Sequence, residues 1–462
     1  MTRLFRVFIP TSILGLLITE ILLISALYTA AIAWQMGELQ LYMLYENGII
    51  RVSVVTASIL LGLYLNDCYV RVRISSRLVF LQQLCLVIGV AFLLQALLSY
   101  GRLDVQMPRQ SMLLGSILCL MLLPLWRVAY GAVTLRMLGA ERVLFAGTHP
   151  LQLLVAGHLK ANPEFAMTPV GFVVENEAAR AAVKSYKVLG TINELADILR
   201  RPVCDRVIFG LSADAPGQAA QRIIEVRQSG HRTENVNRAY EALFGRVSIS
   251  YLHAADVAYI EGISPRPFTL RLQTVFSWLL ALAGLILLSP LLLIIAAAVR
   301  LTSPGPVLFR QVRAGQNNVP FVLYKFRSMY TGAEAQTGAV WARENDPRVT
   351  PVGRFLRKYR LDELPQLFNV LRGEMSIAGP RPERPEFVSV LAAEVPFFML
   401  RLGVKPGITG WAQINYRYGN SIEDAEVKLE YDLYYLKNFS FGLDLYIMFH
   451  TIKTILLTRG AY

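Results

Sequence analysis

Long apolar runs dominate the first third of the chain. Four of them cover residues 7–34, 49–65, 78–100 and 111–125, and the last continues past Trp126 and Arg127. A helix that spans a bilayer needs about 20 mostly apolar residues, so each run is long enough or nearly so. The first run exceeds the apolar core of a signal peptide, which is roughly 7–15 residues long, so it is predicted to be retained. We predict an α-helical membrane bundle over residues 1–140.

Charged residues in the short loops indicate how this bundle is oriented. Basic residues precede the first run and follow the second and the fourth, whereas acidic residues follow the first. Because basic loops stay on the cytoplasmic side, the N-terminus, the loop 66–77 and everything after residue 136 are predicted to be cytoplasmic. The residues behind this prediction are Arg3, Arg6, Glu38, Glu46, Arg71, Arg73, Arg77, Arg136 and Arg142.

The pattern becomes that of a soluble domain over residues 141–263. Strand-like runs at 142–147, 170–174 and 206–210 alternate with helical segments at 151–159 and 192–199. This alternation predicts an α/β Rossmann-like domain with a parallel sheet. A dinucleotide-binding turn would carry three glycines, as Gly-x-Gly-x-x-Gly. Gly147 is the only glycine in residues 147–152, so we expect a degenerate domain with a structural or regulatory role, and nucleotide binding is the less favoured alternative.

A fifth apolar run, 272–299, has basic residues on both sides, with Arg271 before it and Arg300 after it. If this run crossed the membrane, one basic cluster would lie outside the cell, against the usual distribution. Near its middle are Ser289 and Pro290, and a proline removes a backbone donor and clashes with the preceding turn. We therefore predict a re-entrant helix, broken at Ser289 and Pro290, that enters and leaves by the same face. A kinked crossing helix is the alternative.

The last apolar run, 439–457, contains the polar residues Asp444, His450 and Lys453. Such a pattern is more typical of a helix that lies in the membrane interface than of one that crosses the bilayer. This interpretation supports a monotopic domain at the end of the chain.

The overall composition agrees with a membrane protein. Hydrophobic residues make up 54% of the chain and charged residues 17%, with a mean hydropathy of +0.43, whereas an ordinary soluble domain is about 45–50% apolar and about 25% charged. Disorder and nucleic-acid binding are therefore poor explanations. The net charge of +13 arises outside the middle domain and favours anionic head groups or phosphorylated substrates. The four cysteines have no metal-binding or disulfide spacing.

Two adjacent carboxylates, Asp362 and Glu363, lie in a stretch rich in arginine and lysine within the last domain, 264–462. Phosphoryl transfer needs positive groups that neutralise the phosphate oxygens. A carboxylate can attack phosphorus, and Mg²⁺ prefers one or two carboxylates together with phosphate and water. Asp362 as nucleophile and Glu363 as metal ligand fit this chemistry. A structural alternative is that the pair begins a helix, because Asp is favoured at the N-cap and Glu in the first turn.

Five segments of the last domain resemble the bacterial sugar transferase family, the monotopic polyprenyl-phosphate glycosylphosphotransferases. They are SPGPVLFRQ, YKFRSM, RLDELPQLFNVLRGEMS, GPRPE and KPGITGWAQIN. With the membrane bundle and the α/β domain, the chain is most similar to the large members that build exopolysaccharide, in particular those associated with exosortase systems. The resemblance implies a mixed, mainly α-helical monotopic catalytic domain with a re-entrant membrane helix.

The resemblance also implies a reaction. The sugar 1-phosphate of a UDP-sugar would move onto undecaprenyl phosphate, releasing UMP and leaving an undecaprenyl diphosphate sugar. It implies a covalent intermediate on Asp362, Mg²⁺ held by Glu363 together with Asp362, and a helix break at Ser289 and Pro290.

Four basic residues are candidate phosphate contacts: Lys325, Arg327, Arg360 and Arg381. For any one of them, a role at the surface is the alternative. The chain departs from the family at the start of the membrane helix, where members often carry Lys-Arg followed by Asp and this chain has Arg271-Leu-Gln-Thr.

Two other functions are weighed against the transferase. A membrane-anchored nucleotide-sugar dehydratase or epimerase would need an intact glycine-rich turn and a Tyr-x-x-x-Lys pair, and the sequence has neither. A scaffold or regulator would recruit polysaccharide enzymes through the middle domain. The expected location is the bacterial inner membrane, with the catalytic domain on the cytoplasmic face. The expected partners are a UDP-sugar, undecaprenyl phosphate and the lipid bilayer, with a homodimer and other polysaccharide assembly enzymes as further candidates.

Overall fold

A computed structural model of the chain describes residues 2–4, 6–36, 38–69, 77–101, 105–137, 140–210, 216–252, 267–333, 346–416 and 421–456. The chain divides into two compact units, which are mainly Phe8–Ala239 and Tyr240–Tyr462, and the short segment Arg3–Val7 groups with the second. The predicted boundary at 263 and 264 lies outside the described residues, as do Arg71 and Arg73. Two short strands, β1 (Thr2–Leu4) and β2 (Val7–Ile9), pair near the N-terminus.

Long helices occupy the first unit where the apolar runs predict them. They are α1 (Thr11–Gln35), the short α2 (Leu39–Tyr45), α3 (Gly48–Leu65), α4 (Arg77–Gly101) and α5 (Arg109–Met137). The prediction of four long helices is confirmed, and α2 is an addition to it. By length and apolar composition, α1, α3, α4 and α5 could each cross a membrane.

A buried ion pair joins α1 to α5. Arg127 NH2 lies 2.9 Å from Glu20 Oε2, and the side chains are 2% and 0% exposed, respectively. The hydroxyl of Tyr69 donates to the same glutamate at 2.6 Å, and Arg127 NH1 donates to the carbonyl of Cys68 at 2.8 Å. Because an isolated buried charge costs several kcal/mol, each partner needs the other. No local pattern in the sequence predicts this pair.

A five-stranded parallel sheet follows in the first unit, in the order β5-β4-β3-β6-β7. The predicted α/β alternation with a parallel sheet is confirmed, whereas two strands were not predicted. The second of these reads RTEN and lacks the apolar alternation that marks a strand. The elements are β3 (Glu141–Ala146), α6 (Pro150–Ala161), β4 (Met167–Val174), β5 (Val188–Thr191), α7 (Leu195–Leu199), β6 (Arg206–Phe209), α8 (Pro216–Gln228), β7 (Arg232–Asn235) and α9 (Val236–Phe244).

The second unit is mainly helical around two small pairs of strands. Its elements are α10 (Pro267–Thr302), β8 (Leu308–Ala314), β9 (Pro320–Phe326), α11 (Pro351–Lys358), α12 (Gln366–Leu371), β10 (Ser376–Ala378), α13 (Pro385–Glu394), β11 (Gly407–Thr409), α14 (Trp411–Asn415), α15 (Ile422–Lys437) and α16 (Phe441–Leu456). Strands β8 and β9 form an antiparallel hairpin, and β10 pairs with β11 in parallel. The main core packs around α13, α15 and α16.

Helix α10 is a single helix from Pro267 to Thr302 with Pro290 inside it, and the break and return at Ser289 and Pro290 stay a prediction. Pro290 has no N–H to donate to the carbonyl four residues earlier, which belongs to Ile286. The hydroxyl of Ser289 donates to that carbonyl at 2.8 Å. The serine therefore replaces the missing donor, which explains how the helix accommodates the proline. Only 17% of the most apolar 18-residue stretch of α10 is buried within the protein.

Helix α16 confirms that a helix forms near the end of the chain. Its polar residues were expected to face the membrane interface, but two of them are buried in the protein. Asp444 is 3% exposed and Lys453 is 8% exposed, so both are buried in the protein. The hydroxyl of Tyr435 donates to Asp444 Oδ1 at 2.8 Å, and Gln273 donates to that hydroxyl at 3.0 Å. These residues therefore connect α10, α15 and α16, and they are not evidence that the helix lies in an interface.

Candidate active site

Asp362 and Glu363 lie in a single 3-10 turn, Leu361–Glu363, between α11 and α12. Arg360 precedes the turn with a φ of 54°, in the left-handed region, and so reverses the chain direction after α11. Helix α12 has Pro365 at its N-cap position and no side-chain capping bond. Asp362 therefore caps no helix, and the structural alternative for it is wrong. Each carboxylate residue is only 8% exposed.

The turn packs against an apolar cluster that includes residues of α10. Leu361 and Leu364, on either side of the two carboxylate residues, pack against the buried cluster of Ile295, Val299, Phe326 and Leu356, of which the first two belong to α10. A leucine on each side of the pair thus fixes its position by burial of apolar surface. The carboxylate pair is thereby linked to the cluster that contains the C-terminal half of α10.

Glu363 binds two cations through one of its oxygens. Its Oε1 accepts hydrogen bonds from Lys325 Nζ at 2.9 Å and from Arg381 NH2 at 2.7 Å. Burial opposes ionisation of this carboxyl, but the charges of Arg381 and Lys325 outweigh it and hold the pKa of Glu363 well below its usual range. Strand β9 positions Lys325, and the loop after β10 positions Arg381. Two of the four predicted phosphate contacts are therefore beside the carboxylate pair.

Asp362 differs from its neighbour in having no hydrogen-bond partner for its carboxylate among the described residues. Burial raises the pKa of Asp362; the charge of Lys325 opposes that rise and the charge of Glu363 adds to it. The charge of Arg357 also lowers the pKa of Asp362. A buried carboxylate with open lone pairs and cations nearby can act as a nucleophile toward a phosphorus atom.

The carboxylate pair can supply only some of the ligands of a Mg²⁺ ion, so substrate and water would have to supply the others. Among the described residues no group of three or more His, Cys, Asp or Glu side chains could enclose a metal ion. Asp362 and the second oxygen of Glu363 accept no hydrogen bonds from these residues. Mg²⁺ is usually held by one or two carboxylates, with substrate phosphates and water completing six positions. The carboxylate pair therefore provides the donor set that such a site requires.

Arg327 lies away from the carboxylate pair, although the sequence groups it with Lys325. Its NH2 donates to the carbonyls of Val299 and Ser303, at 3.2 and 2.6 Å, and to the Ser303 hydroxyl at 2.8 Å. These acceptors are at the C-terminal end of α10, where helix carbonyls lack partners. The side chain is 6% exposed. The structure thus gives Arg327 the function of capping α10.

Two arginines before the pair contribute charge to it. The charge of Arg360 helps to lower the pKa of Glu363, and that of Arg357 helps to lower the pKa of Asp362. The Nε of Arg357 donates to the Ser328 hydroxyl at 2.9 Å, which orients its side chain. Arg357 was not among the predicted phosphate contacts. Several basic residues precede Asp362 in the sequence, and only the packing of α11 distinguishes them.

Comparison with known proteins agrees with the motifs and with this geometry. The family model described as "Bacterial sugar transferase" matches residues 268–458. A UDP-glucose:undecaprenyl-phosphate glucose-1-phosphate transferase of Xanthomonas campestris pv. campestris is 32% identical over 330 residues, which are 70% of this chain and 68% of that protein.

The chain belongs to the bacterial sugar transferase family.

Other relatives match shorter stretches of this bacterial sugar transferase at higher identity. A UDP-N-acetylgalactosamine-undecaprenyl-phosphate N-acetylgalactosaminephosphotransferase of Aeromonas hydrophila is 46% identical over 227 residues, covering 49% of this chain and 53% of that protein. The exopolysaccharide production protein PSS of Rhizobium leguminosarum bv. phaseoli is 41% identical over 196 residues, covering 41% of this chain and 98% of that protein. The chain spans about half the length of the Aeromonas relative and 38% of a Klebsiella pneumoniae relative.

The match to the bacterial sugar transferase family covers all the residues described above for the site. The carboxylate pair, Lys325, Arg357 and Arg381 lie within it. The Rhizobium relative is covered almost completely by a match of 196 residues, which are 41% of this chain, so the whole of that protein is similar to a part of this one.

Proposed function

We propose that this protein transfers a sugar 1-phosphate from a UDP-sugar to undecaprenyl phosphate and so initiates exopolysaccharide assembly. The observation that carries the proposal is the contrast within the carboxylate pair: Glu363 is bound by Lys325 and Arg381, whereas the buried Asp362 has open lone pairs. The names of the Aeromonas and Xanthomonas relatives, both undecaprenyl-phosphate sugar phosphotransferases, support this assignment.

In the first step the Asp362 carboxylate attacks the phosphorus atom that bears the sugar. A bond forms between the carboxylate oxygen and phosphorus, and the bond from that phosphorus to the oxygen bridging the two phosphates breaks. UMP leaves with that oxygen and its electron pair. In the second step a phosphate oxygen of undecaprenyl phosphate attacks the same phosphorus, and the bond to Asp362 breaks. The Asp362 carboxylate is regenerated, as covalent catalysis requires.

Positive groups around the pair neutralise the charge that the phosphates bring. Lys325 and Arg381 approach from the side of Glu363, and Arg357 acts on Asp362. Fixed cations in a buried site stabilise the transition state because they need no reorganisation. Mg²⁺, held by Glu363 and Asp362, would add Lewis-acid neutralisation of the phosphate oxygens. Arg360, whose charge reaches Glu363, is a further candidate contact.

Contact between the site and α10 supports a route for the lipid substrate. We propose that α10 dips into the cytoplasmic face of the bacterial inner membrane and returns, bending at Ser289 and Pro290, while α1, α3, α4 and α5 cross. Undecaprenyl phosphate would then meet the carboxylate pair near Ile295 and Val299, which belong to the apolar cluster on which the turn packs. The Rossmann-like domain would support or regulate the enzyme and would be the part that meets a second copy of the chain or other polysaccharide assembly enzymes.

The turn after β3 argues against a dehydratase or an epimerase. Where a dinucleotide phosphate would bind, the Thr148 N–H and hydroxyl donate to Glu175, at 2.9 and 2.8 Å. Gln152 donates to the carbonyl of Ala146 in β3 and to that of Ile208 in β6, so its side chain bridges these two neighbouring strands. These side chains occupy the crevice in which such folds bind ligands.

Release of UMP from a panel of UDP-sugars, with undecaprenyl phosphate present, tests the proposal. We expect one or a few sugars to be accepted, Asp362→Asn to abolish release, and Glu394→Gln, at an exposed site, to leave it unchanged. Incubation with a labelled UDP-sugar alone should label the protein covalently, and hydroxylamine should remove the label, as for an acyl-phosphate. Full activity of Asp362→Asn would contradict the mechanism.

Cysteine labelling tests the membrane placement. Ala393→Cys on α13 and Glu46→Cys after α2 are both exposed positions. An impermeant maleimide applied to intact cells should label the second and not the first. Labelling at residue 393 from outside would show that α10 crosses the membrane.

A further inference from the structure

The segment that carries Arg381 is held through four consecutive backbone carbonyls. Prolines at 380 and 382 have no N–H, so the backbone of this segment has few donors of its own. The carbonyls of Pro380, Arg381, Pro382 and Glu383 accept hydrogen bonds from Gly407 N at 2.9 Å, Arg401 NH2 at 3.1 Å, Arg313 NH1 at 3.1 Å and Ala314 N at 2.9 Å, respectively. Two of the four donors are guanidinium groups.

Arg401 makes the contact at Arg381 itself, and a buried carboxylate fixes it. Its Nε lies 2.9 Å from Asp432 Oδ2, and its NH2, which bonds the Arg381 carbonyl, lies 2.8 Å from the same oxygen. Arg401 is 5% exposed and Asp432 is 1% exposed. Burial raises the pKa of Asp432, and the charge of Arg401 opposes that rise. Because each charge is buried, neither can leave the other without a large penalty.

We infer that Arg401 and Asp432 are positioning residues for Arg381. The contacts form a continuous series: Asp432 holds the Arg401 guanidinium, Arg401 holds the Arg381 carbonyl, and the Arg381 guanidinium holds Glu363. The inference rests on the proposed function, in which Arg381 acts beside the reacting phosphate. Neither residue contacts the carboxylate pair, so both act through the backbone of Arg381.

The chain offers a matched control on the same helix. Glu430, two residues before Asp432 on α15, is also largely buried and pairs with Arg246 at 3.3 Å. Its other contacts are Tyr240 and the backbone of Ile249, so it has no link to Arg381. Glu430→Gln therefore removes a buried ion pair of the same helix without releasing the segment.

Hydrogen exchange of the full-length protein tests the structural part without any turnover. Asp432→Asn and Arg401→Lys should speed exchange of the amides of residues 376–384, and Glu430→Gln should not. Arg401→Lys keeps the positive charge but loses the planar guanidinium group that bonds both Asp432 and the Arg381 carbonyl. It is therefore the variant to use if Asp432→Asn fails to fold. Unchanged exchange in a folded Arg401→Lys variant would overturn the inference.

A double-mutant cycle tests the functional part. We expect Asp432→Asn or Arg401→Lys to lower kcat for UMP release about 10- to 100-fold, because hydrogen bonds to charged groups are of that magnitude. In an Arg381→Ala background the same change should have little further effect, since the residue it positions is gone. Fully additive losses would overturn the inference. If the wild-type protein released no UMP, the proposed function would fail, while the exchange result would still report whether the segment is held.

Discussion

The ammonium group of Lys325 donates to Oε1 of Glu363 at 2.9 Å. Its charge also lowers the pKa of Asp362.

Lys325 should help to keep Asp362 ionised. Because Asp362 attacks only when ionised, Lys325→Met should raise the pKa of Asp362 and move the acid limb of the pH profile of kcat/KM to higher pH. Near neutral pH, kcat for UMP release should fall about 100- to 1,000-fold, as when one transition-state contact is removed. Lys358→Met, an exposed lysine of α11, is the control. An unshifted acid limb in the Lys325 variant would contradict the assignment of Asp362 as nucleophile.

Arg327 and Arg381 should respond differently to the same substitution. Arg327 binds the end of α10, whereas Arg381 binds Glu363. Arg327→Gln should therefore lower the unfolding temperature and leave KM for the UDP-sugar close to that of the wild type, because it removes a helix cap. Arg381→Gln should mainly lower kcat/KM. Thermal unfolding in detergent and steady-state kinetics measure the two effects, and a raised KM in folded Arg327→Gln would show that this arginine does bind phosphate.

The ion pair between Glu20 and Arg127 should dominate the stability of the helical bundle. Arg127→Gln leaves Glu20 buried without its partner and should cost about 3–5 kcal/mol. Replacing both residues by leucine should recover much of the loss, since no charge then remains buried. Unfolding in increasing concentrations of a denaturing detergent, with the wild type as reference, measures whether Arg127→Gln loses more stability than the double leucine variant. Equal losses in the single and the double variant would contradict it.

Asp444 should make stability depend on pH. Burial raises the pKa of Asp444 to about 7 against opposition from the hydrogen bonds of Tyr435 and Gln273, whereas an unfolded Asp titrates near about 3.9. The folded state thus binds the proton more tightly, so the contribution to stability is complete below the unfolded pKa and is lost as the pH rises through about 7. Its magnitude is on the order of 4 kcal/mol.

The measurement is the unfolding temperature between pH 5 and pH 8. It should fall with pH for the wild type and fall less for Asp444→Asn, which cannot ionise. Glu426→Gln, at an exposed position of α15, is a control for loss of a carboxylate elsewhere. A slope that is the same in the Asp444 variant and the wild type would show that Asp444 does not titrate in this range.

Long apolar segments made much of the fold predictable. The four long helices of the first unit and three of its parallel strands follow from runs of apolar residues, since period and length are local properties of the sequence. Strand β7 was not predicted, because its residues, RTEN, pair at the edge of the sheet and are little buried. The effect of Pro290 on α10 does not follow from the sequence, because it depends on whether another donor replaces the missing N–H, and Ser289 does so.

The site was predictable only in part, for a different reason. Asp362 and Glu363 are adjacent in sequence, and the structure brings Lys325 and Arg381, two of the predicted phosphate contacts, to Glu363. Arg327 is only two residues from Lys325, yet it binds α10 because the chain leaves β9 between them. The contact between Arg401 and Arg381, and that between Arg401 and Asp432, join distant parts of the chain. No local pattern distinguishes such residues from other buried charges.

The hydroxyl of Ser289 has a consequence for the hydration of α10. A proline inside a helix ordinarily leaves a carbonyl that attracts a water molecule or a neighbouring polar group. Here the Ile286 carbonyl is already bonded by Ser289. If α10 enters the bilayer as proposed, its proline can lie among acyl chains without carrying water there. The acyl chains beside this carbonyl would then stay dry, even where the helix turns back.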